Sequence, residues 1–293
     1  GTQWVGWQYS IQHGDAPALR LRAGRLDGRH GADEGQREVP PQILQARRPQ
    51  RMLERQWIVN RRGGWMIVLS GFFEPLFYLL SIRVGFGALV GDVTDGGRVL
   101  PYEQFVAPAL FASSAMNGSI YEATNIFFKL KYEKTYDAVL STPMTSGDVA
   151  LGEMLYATMR GSIYSVAFLL TMWMLGMTGS VWSLAMLPVA ALISFAFSAV
   201  AIAATTYMRT WADFEYVPSL MLPMFLFSAT FYPITAYPPA LQTIVGLTPL
   251  YQGVELIRAL SVGYVSTDLL FNVAYLAVMG VIGLMVTSRR LDK

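Results

Sequence analysis

Few side chains in this sequence can do chemistry, and their types exclude more than they allow. There is no cysteine, and the only histidines are His13 and His30. No disulfide, thiolate nucleophile or cysteine-ligated metal is possible, and no imidazole after His30 can serve acid–base work or metal binding. What remains in the apolar stretches is Glu74, Glu122, Glu153 and Arg160. Ionisable groups in such surroundings face a protein interior or a cavity, because an isolated buried charge is costly. A place on a transport path and a purely structural role in helix packing fit these four equally well. Glu153 and Arg160 are seven positions apart, two helical turns, so long side chains could pair.

A second group lies in a charged island, residues 128–153 (FKLKYEKTYDAVLSTPMTSGDVALGE), between two apolar segments. Tyr132, Tyr136, Val139 and Leu140 recur at helical spacing and form one apolar face, with Lys131, Glu133, Lys134 and Asp137 on the others. Ser141-Thr142-Pro143 ends that helix, and Thr145 with Asp148 reads as a capping box opening the next. Tyr132, Glu133, Tyr136 and Asp137 are the candidates for contact with a soluble partner; an ordinary solvated loop helix is the bland alternative.

Other chemistry is missing. No G-x-x-x-x-G-K-[ST] loop is present, so the chain does not bind nucleotide through a Walker A motif. There is no G-x-S-x-G elbow and no aspartate-rich metal–diphosphate cluster. Basic patches lack the interleaved aromatics of a nucleic-acid surface. Energetic work would have to be driven by a partner or an ion gradient.

The elements that must position these residues are helices in a membrane. Of 293 residues, 53% are hydrophobic and only 14% charged, against about 25% charged in soluble domains. The uncharged windows after Gly63 are continuous rather than alternating, which favours helices over a barrel. The reading is an all-α polytopic protein with about six spans: 64–87, 102–127, 149–175, 182–207, 216–231 and 268–287. Residues 1–49 are basic and poorly structured. Residues 50–62 form an amphipathic interface helix with Met52, Leu53 and Trp57 on one face. Residues 63–293 form the transmembrane domain. Glu74 lies beside Pro75, which kinks the first span. Residues 91–101 are a turn-rich loop. Between spans five and six, Pro233, Pro238, Pro239 and Pro249 cut an apolar stretch, and the roughly ten residues between the last two prolines are too few to cross a bilayer. A re-entrant helical pair is expected there, with Glu255 and Arg258 paired at i,i+3.

Basic residues collect at one set of span ends: Arg55, Arg61, Arg62, Lys129, Lys131, Lys134, Arg209, Arg289, Arg290 and Lys293. The opposite ends hold Arg98 and Arg258, with Arg83 nearby. The positive-inside rule then places both termini and the island in the cytoplasm and the proline-broken segment outside.

Five stretches in this order carry a family likeness: SGFFEPLFYLLSIRVGFGALVG (70–91), YEQFVAPALFASSAM (102–116), KLKYEKTYDAVLSTPMTSGDVALGE (129–153), LPMFLFSATFYPITAYP (222–238) and TPLYQGVELIRAL (248–260). The chain resembles the type-2 permeases of ATP-binding-cassette (ABC) exporters, nearest to those for nodulation factors and daunorubicin resistance, over residues 50–293. Residues 1–49 match nothing in that family. The resemblance implies an interface helix, six spans, external re-entrant helices and a coupling helix at 133–140 seated on an ATPase. It implies two ATPase subunits, a second permease (identical or paralogous), contact with membrane lipid, and a bacterial inner-membrane location. No cofactor is expected in this chain; ATP and magnesium would belong to the ATPase. The cargo would be amphiphilic, a lipid-linked glycan, lipo-oligosaccharide or drug-like molecule, passing between the permease halves along spans one, two and five.

Two other classes compete. The intramembrane Glu74, Glu122 and Glu153 would also suit a membrane-embedded transferase acting on lipid-linked sugar or acyl groups, against which the missing histidine, cysteine and metal clusters count. An ion-coupled secondary transporter would be expected to show an internal repeat, and none is visible.

Overall fold

The computed structural model describes Leu53, Glu54 and Ile58 and then residues 64–291, apart from 96, 134–135, 137–138, 140, 142–143 and 179. The expected N-terminal segment and nearly all of the interface helix therefore lie outside the described residues; Leu53, Glu54 and Ile58 are helical.

Eight α-helices and one hairpin make up the described chain. Helix α1 (Gly64–Ser81) runs on through a π-turn (Ile82–Phe86) to a last turn at Gly87–Val90. Strands β1 (Asp92–Asp95) and β2 (Arg98–Pro101) follow. Helix α2 is Tyr102–Lys131 and α3 is Ser146–Met174. A 3₁₀ turn (Val181–Ala185) leads into α4, Met186–Thr205. Another (Trp211–Glu215) leads into α5, Tyr216–Leu226. After a short 3₁₀ turn (Ile234–Ala236) come α6 (Pro239–Gly246), α7 (Pro249–Val262) and α8 (Leu269–Leu291).

Local sequence explains most boundaries. Thr145 accepts from the Asp148 amide while Asp148 accepts from the Thr145 amide, so the expected capping box opens α3. Thr210 and Asp213 form the same box ahead of α5. There, the Thr210 and Arg209 amides hold the Asp213 carboxyl below its ordinary pKa. Pro239 and Pro249 each open a helix, where a missing N–H costs nothing. The turn-rich loop at 91–101 is a hairpin: Asp95 faces Arg98 across a glycine pair, and Gly97 takes φ +80°, as a two-residue turn requires.

The expected fifth span is shorter than the sequence implied. Helix α5 stops at Leu226, not Phe231, and Ala229 takes φ +54°. The break is held from within. The Ser228 hydroxyl donates to the Phe225 carbonyl, the Thr230 hydroxyl reaches the same oxygen, and Tyr237 Oη donates to the Leu226 carbonyl. Broken backbone in an apolar setting persists only when its polar groups find such partners.

Among the described residues, two helices are long and apolar enough to cross a membrane on length and composition alone, Trp182–Thr205 and Leu269–Leu291. Helices α2 and α3 are longer, yet each carries acidic and basic residues.

Helix α4 is the hub. Helices α2, α3, α7 and α8 pack against it, and α1 packs on α3. Small residues make the crossings close, as expected where helices associate without a hydrophobic drive between them. Ser194 Oγ donates to the Ala115 carbonyl across α4 and α2 at 3.1 Å. A Cβ on Gly283 would sit 2.7 Å from the Ala199 carbonyl carbon. Gly283→Leu is therefore expected to cost about 1–3 kcal/mol through overpacking, read as an earlier melt of the purified protein in detergent; an unchanged melt would mean that the crossing is loose.

At one end lie the close of α2, the start of α3 and the ends of α4 and α8, with Lys129, Lys131, Arg209, Arg289 and Arg290. The hairpin and the end of α7 belong to the other, where Arg258 lies 3.8 Å from Asp95. There, Arg83 Nη1 donates to the Leu175 carbonyl at 2.8 Å and its Nε lies 3.8 Å from Glu103, tying the π-turn of α1 to α3 and α2.

Candidate functional site

Helix α2 carries Glu122 and, seven residues on, Lys129. Helix α3 carries Glu153 and, seven residues on, Arg160. The two helices follow one another through the island and pack together, so they run in opposite directions and each acid of one meets the base of the other. Arg160 Nη1 donates to Glu122 Oε2 at 2.6 Å. Lys129 Nζ lies 3.1 Å from Glu153 Oε2 and 3.3 Å from Oε1. Glu122 and Glu153 are each only 1% exposed. Two charge pairs two turns apart fix both the register and the direction of α2 against α3.

This corrects the within-helix pairing expected of Glu153 and Arg160. Seven residues place both on one face of α3, but that face meets α2, and the antiparallel partner supplies each counter-charge at close range. Lys129 had entered the sequence reading only as an orientation charge. The repeated seven-residue spacing, with acid and base in the same order on consecutive helices, was the signal for it.

The lower rung continues into the island. Tyr136 is 2% exposed, and its hydroxyl donates to Glu153 Oε1 at 3.0 Å. It packs in a cluster with Ile126, Val149, Met154, Ala199 and Ile202. Tyr136 therefore faces its own chain rather than the surface where a partner contact was expected. The apolar face of the island needs burial, and the ends of α2, α3 and α4 provide it. Tyr132 and Glu133 are exposed, and the Tyr132 ring lies 5.9 Å from Phe127 and 5.6 Å from Phe128. Phe127 in turn meets Phe214, ahead of α5, at 4.9 Å. Tyr136 and Val139 are helical. Asp137 lies outside the described residues. Glu74 is in mid-α1 beside Pro75, and its side chain is outside them too.

A second polar node sits at the hairpin end. Arg258 on α7 is buried; its Nη2 donates to the Ala229 carbonyl at 2.8 Å, in the break after α5. Its Nη1 lies 3.8 Å from Asp95 Oδ2 on β1, and its guanidinium carbon sits 3.9 Å over the Phe105 ring of α2. One cation thus joins α7, the α5 break, the hairpin and α2. Burial lowers its pKa, opposed by Asp95, Glu255 and Tyr251, and an arginine stays charged regardless. The expected Glu255–Arg258 pair is not the direct contact. Glu255 instead lies beside Tyr251, whose pKa is raised by burial first and by that carboxylate second.

Between these nodes a cavity of about 280 Å³ opens among α1, α2, α3 and α5. Tyr78, Ser113, Asn117, Tyr121 and Tyr164 line it, and among the described residues no lining side chain is charged. Helix α5 has no buried residue and leaves Leu220, Leu222 and Leu226 exposed; α1 exposes Phe73, Phe77 and Tyr78.

The profile of the ABC-2 type transporter family matches residues 50–262. The chain is 27% identical over 241 residues to Nodulation protein J of Rhizobium leguminosarum bv. viciae, covering 82% of this chain and 92% of that protein. It is 31% identical over 206 residues to Nodulation protein J of Sinorhizobium fredii, covering 70% and 77%. It is 21% identical over 205 residues to the inner membrane transport permease YadH of Escherichia coli, covering 66% and 76%. The transferase alternative falls with this assignment. The chain belongs to the ABC-2 type transporter family, as a membrane permease subunit whose ATP is hydrolysed on a separate subunit.

Proposed function

We propose that this permease forms half of an exporter's membrane unit and carries an amphiphilic cargo, lipid-linked or lipo-oligosaccharide in type, along the cavity between α1, α2, α3 and α5. The observation that carries the coupling part is the island's anchorage: an exposed patch, Tyr132 and Glu133, beside a buried tyrosine bonded to the α2–α3 charge ladder. A soluble ATPase pressing on that patch would move two spans as one body, because the ladder fixes their register. In this reading the island faces the cytoplasm, there are about six spans, two ATPases bind, and the exposed faces of α1 and α5 receive the second permease. Uncharged hydroxyl, amide and phenol groups in the cavity suit the neutral head of a glycosylated amphiphile.

The absence of cysteine makes a direct test clean. Cysteine at Glu133 should crosslink to the co-expressed ATPase and resist membrane-impermeant maleimide in intact cells. Labelling of that cysteine from outside would end the coupling assignment. A fully active transporter lacking any ATPase would end the export reading as a whole.

A further inference from the structure

Helices α4 and α8 are the two that qualify as spans by length and composition, and the groove between them has no assigned role. It holds about 700 Å³ and is almost wholly apolar, with Ala204, Tyr207, Phe271, Tyr275, Ile282 and Gly283 among its walls. Only 22% of the apolar window of α8 is buried by the rest of the chain. The lining residues on α8 run from Phe271 to Val286, a rise of about 22 Å, about three-quarters of a hydrocarbon core of about 30 Å. Small side chains, Ala203, Ala204, Ala274 and Gly283, are among its walls.

One end of the groove is cationic. The Arg290 guanidinium carbon lies 4.1 Å over the ring of Tyr207, itself a wall of the groove. Arg289 is its exposed neighbour and Arg209 follows Tyr207 by two positions. At the other end, Tyr275 donates its hydroxyl to the Leu247 carbonyl, fixing that wall to the turn between α6 and α7.

The structure assigns this groove to an anionic phospholipid, its acyl chain along α4 and α8 and its phosphate at Arg289 and Arg290. An apolar channel of membrane depth with a guanidinium pair at its mouth matches such a lipid in shape and in charge. A second copy of the chain fits less well: in a two-fold contact the same surface meets itself, which would bring the arginine pairs of the two copies together. The site does not depend on which cargo is carried.

The test uses the full chain in detergent, titrated with phosphatidylglycerol or phosphatidylcholine of matched acyl chains and read by native mass spectrometry. With each arginine contributing about fivefold, phosphatidylglycerol should bind about 25-fold tighter. Arg289→Gln with Arg290→Gln should bring the two lipids within about threefold, while the double lysine variant keeps most of the preference. Ala204→Trp, at an exposed position in the groove, should displace both lipids, and it decides the question if the double glutamine variant does not fold. Equal binding of the two lipids by the parent protein, or a preference untouched by the glutamines, would overturn the assignment. So would an Ala204→Trp protein that keeps its lipid and loses its oligomeric state, since the groove would then be a protein interface.

Discussion

Arg160→Met should destabilise the permease by about 3–5 kcal/mol, the usual cost of leaving a buried charge without its partner. Glu122 is 1% exposed and Arg160 is its ion-pair partner, at 2.6 Å, so the single change strands a carboxylate between α2 and α3. The double change Arg160→Met with Glu122→Leu should recover most of the loss, because a well-packed apolar pair often matches a buried ion pair. Melting in one detergent, parent against single and double variants, measures both. A single variant within about 1 kcal/mol of the parent would show that the pair is open to water and carries no such weight. The recovery separates the stranded charge from lost packing, since both variants remove the arginine stem.

Tyr136→Asp should reduce export more than tenfold while the protein still inserts and its ATPase still hydrolyses ATP. The change places a second carboxylate next to Glu153 Oε1, where Tyr136 now donates, with the charge of Lys129 beside Glu153. The island would leave its seat among Ile126, Val149 and Met154, and the motor's push would no longer reach α2 and α3. Tyr136→Phe keeps the ring and leaves Glu153 its lysine, so it should lose far less. Transport and hydrolysis assayed together in vesicles give the answer; unchanged export in the aspartate variant would remove Tyr136 from the coupling route.

The apolar runs, the capping box at Thr145 and Asp148, the proline-opened helices α6 and α7 and the existence of the island were legible in the sequence because each is local. Periodicity states which face of a helix a residue occupies, and prolines and caps state where a helix begins. The partners of the charges were not local. Glu153 and Arg160 share a face, but what that face meets depends on α2, so the pairing with Lys129 and Glu122 needed the tertiary arrangement. Tyr136 could be placed on the apolar face of the island and still be assigned outward, since nothing in its own helix says which cluster buries it. The early end of α5 was hidden for the same reason. The sequence around Phe227 is apolar and continuous, while the groups that stabilise the break include Tyr237 and Arg258, 10 and 31 residues away. The family likeness was legible from the ordered motifs at 70–260, and the matched profile at 50–262 agrees with it.

The reach of Arg258 bears on how the far end of this molecule can fail. With one guanidinium touching the α5 break, the hairpin and α7 together, a disturbance at any one of the three is felt at the other two. The three are thereby coupled, and the tolerance of 227–230 to sequence drift depends in part on a residue some thirty positions downstream.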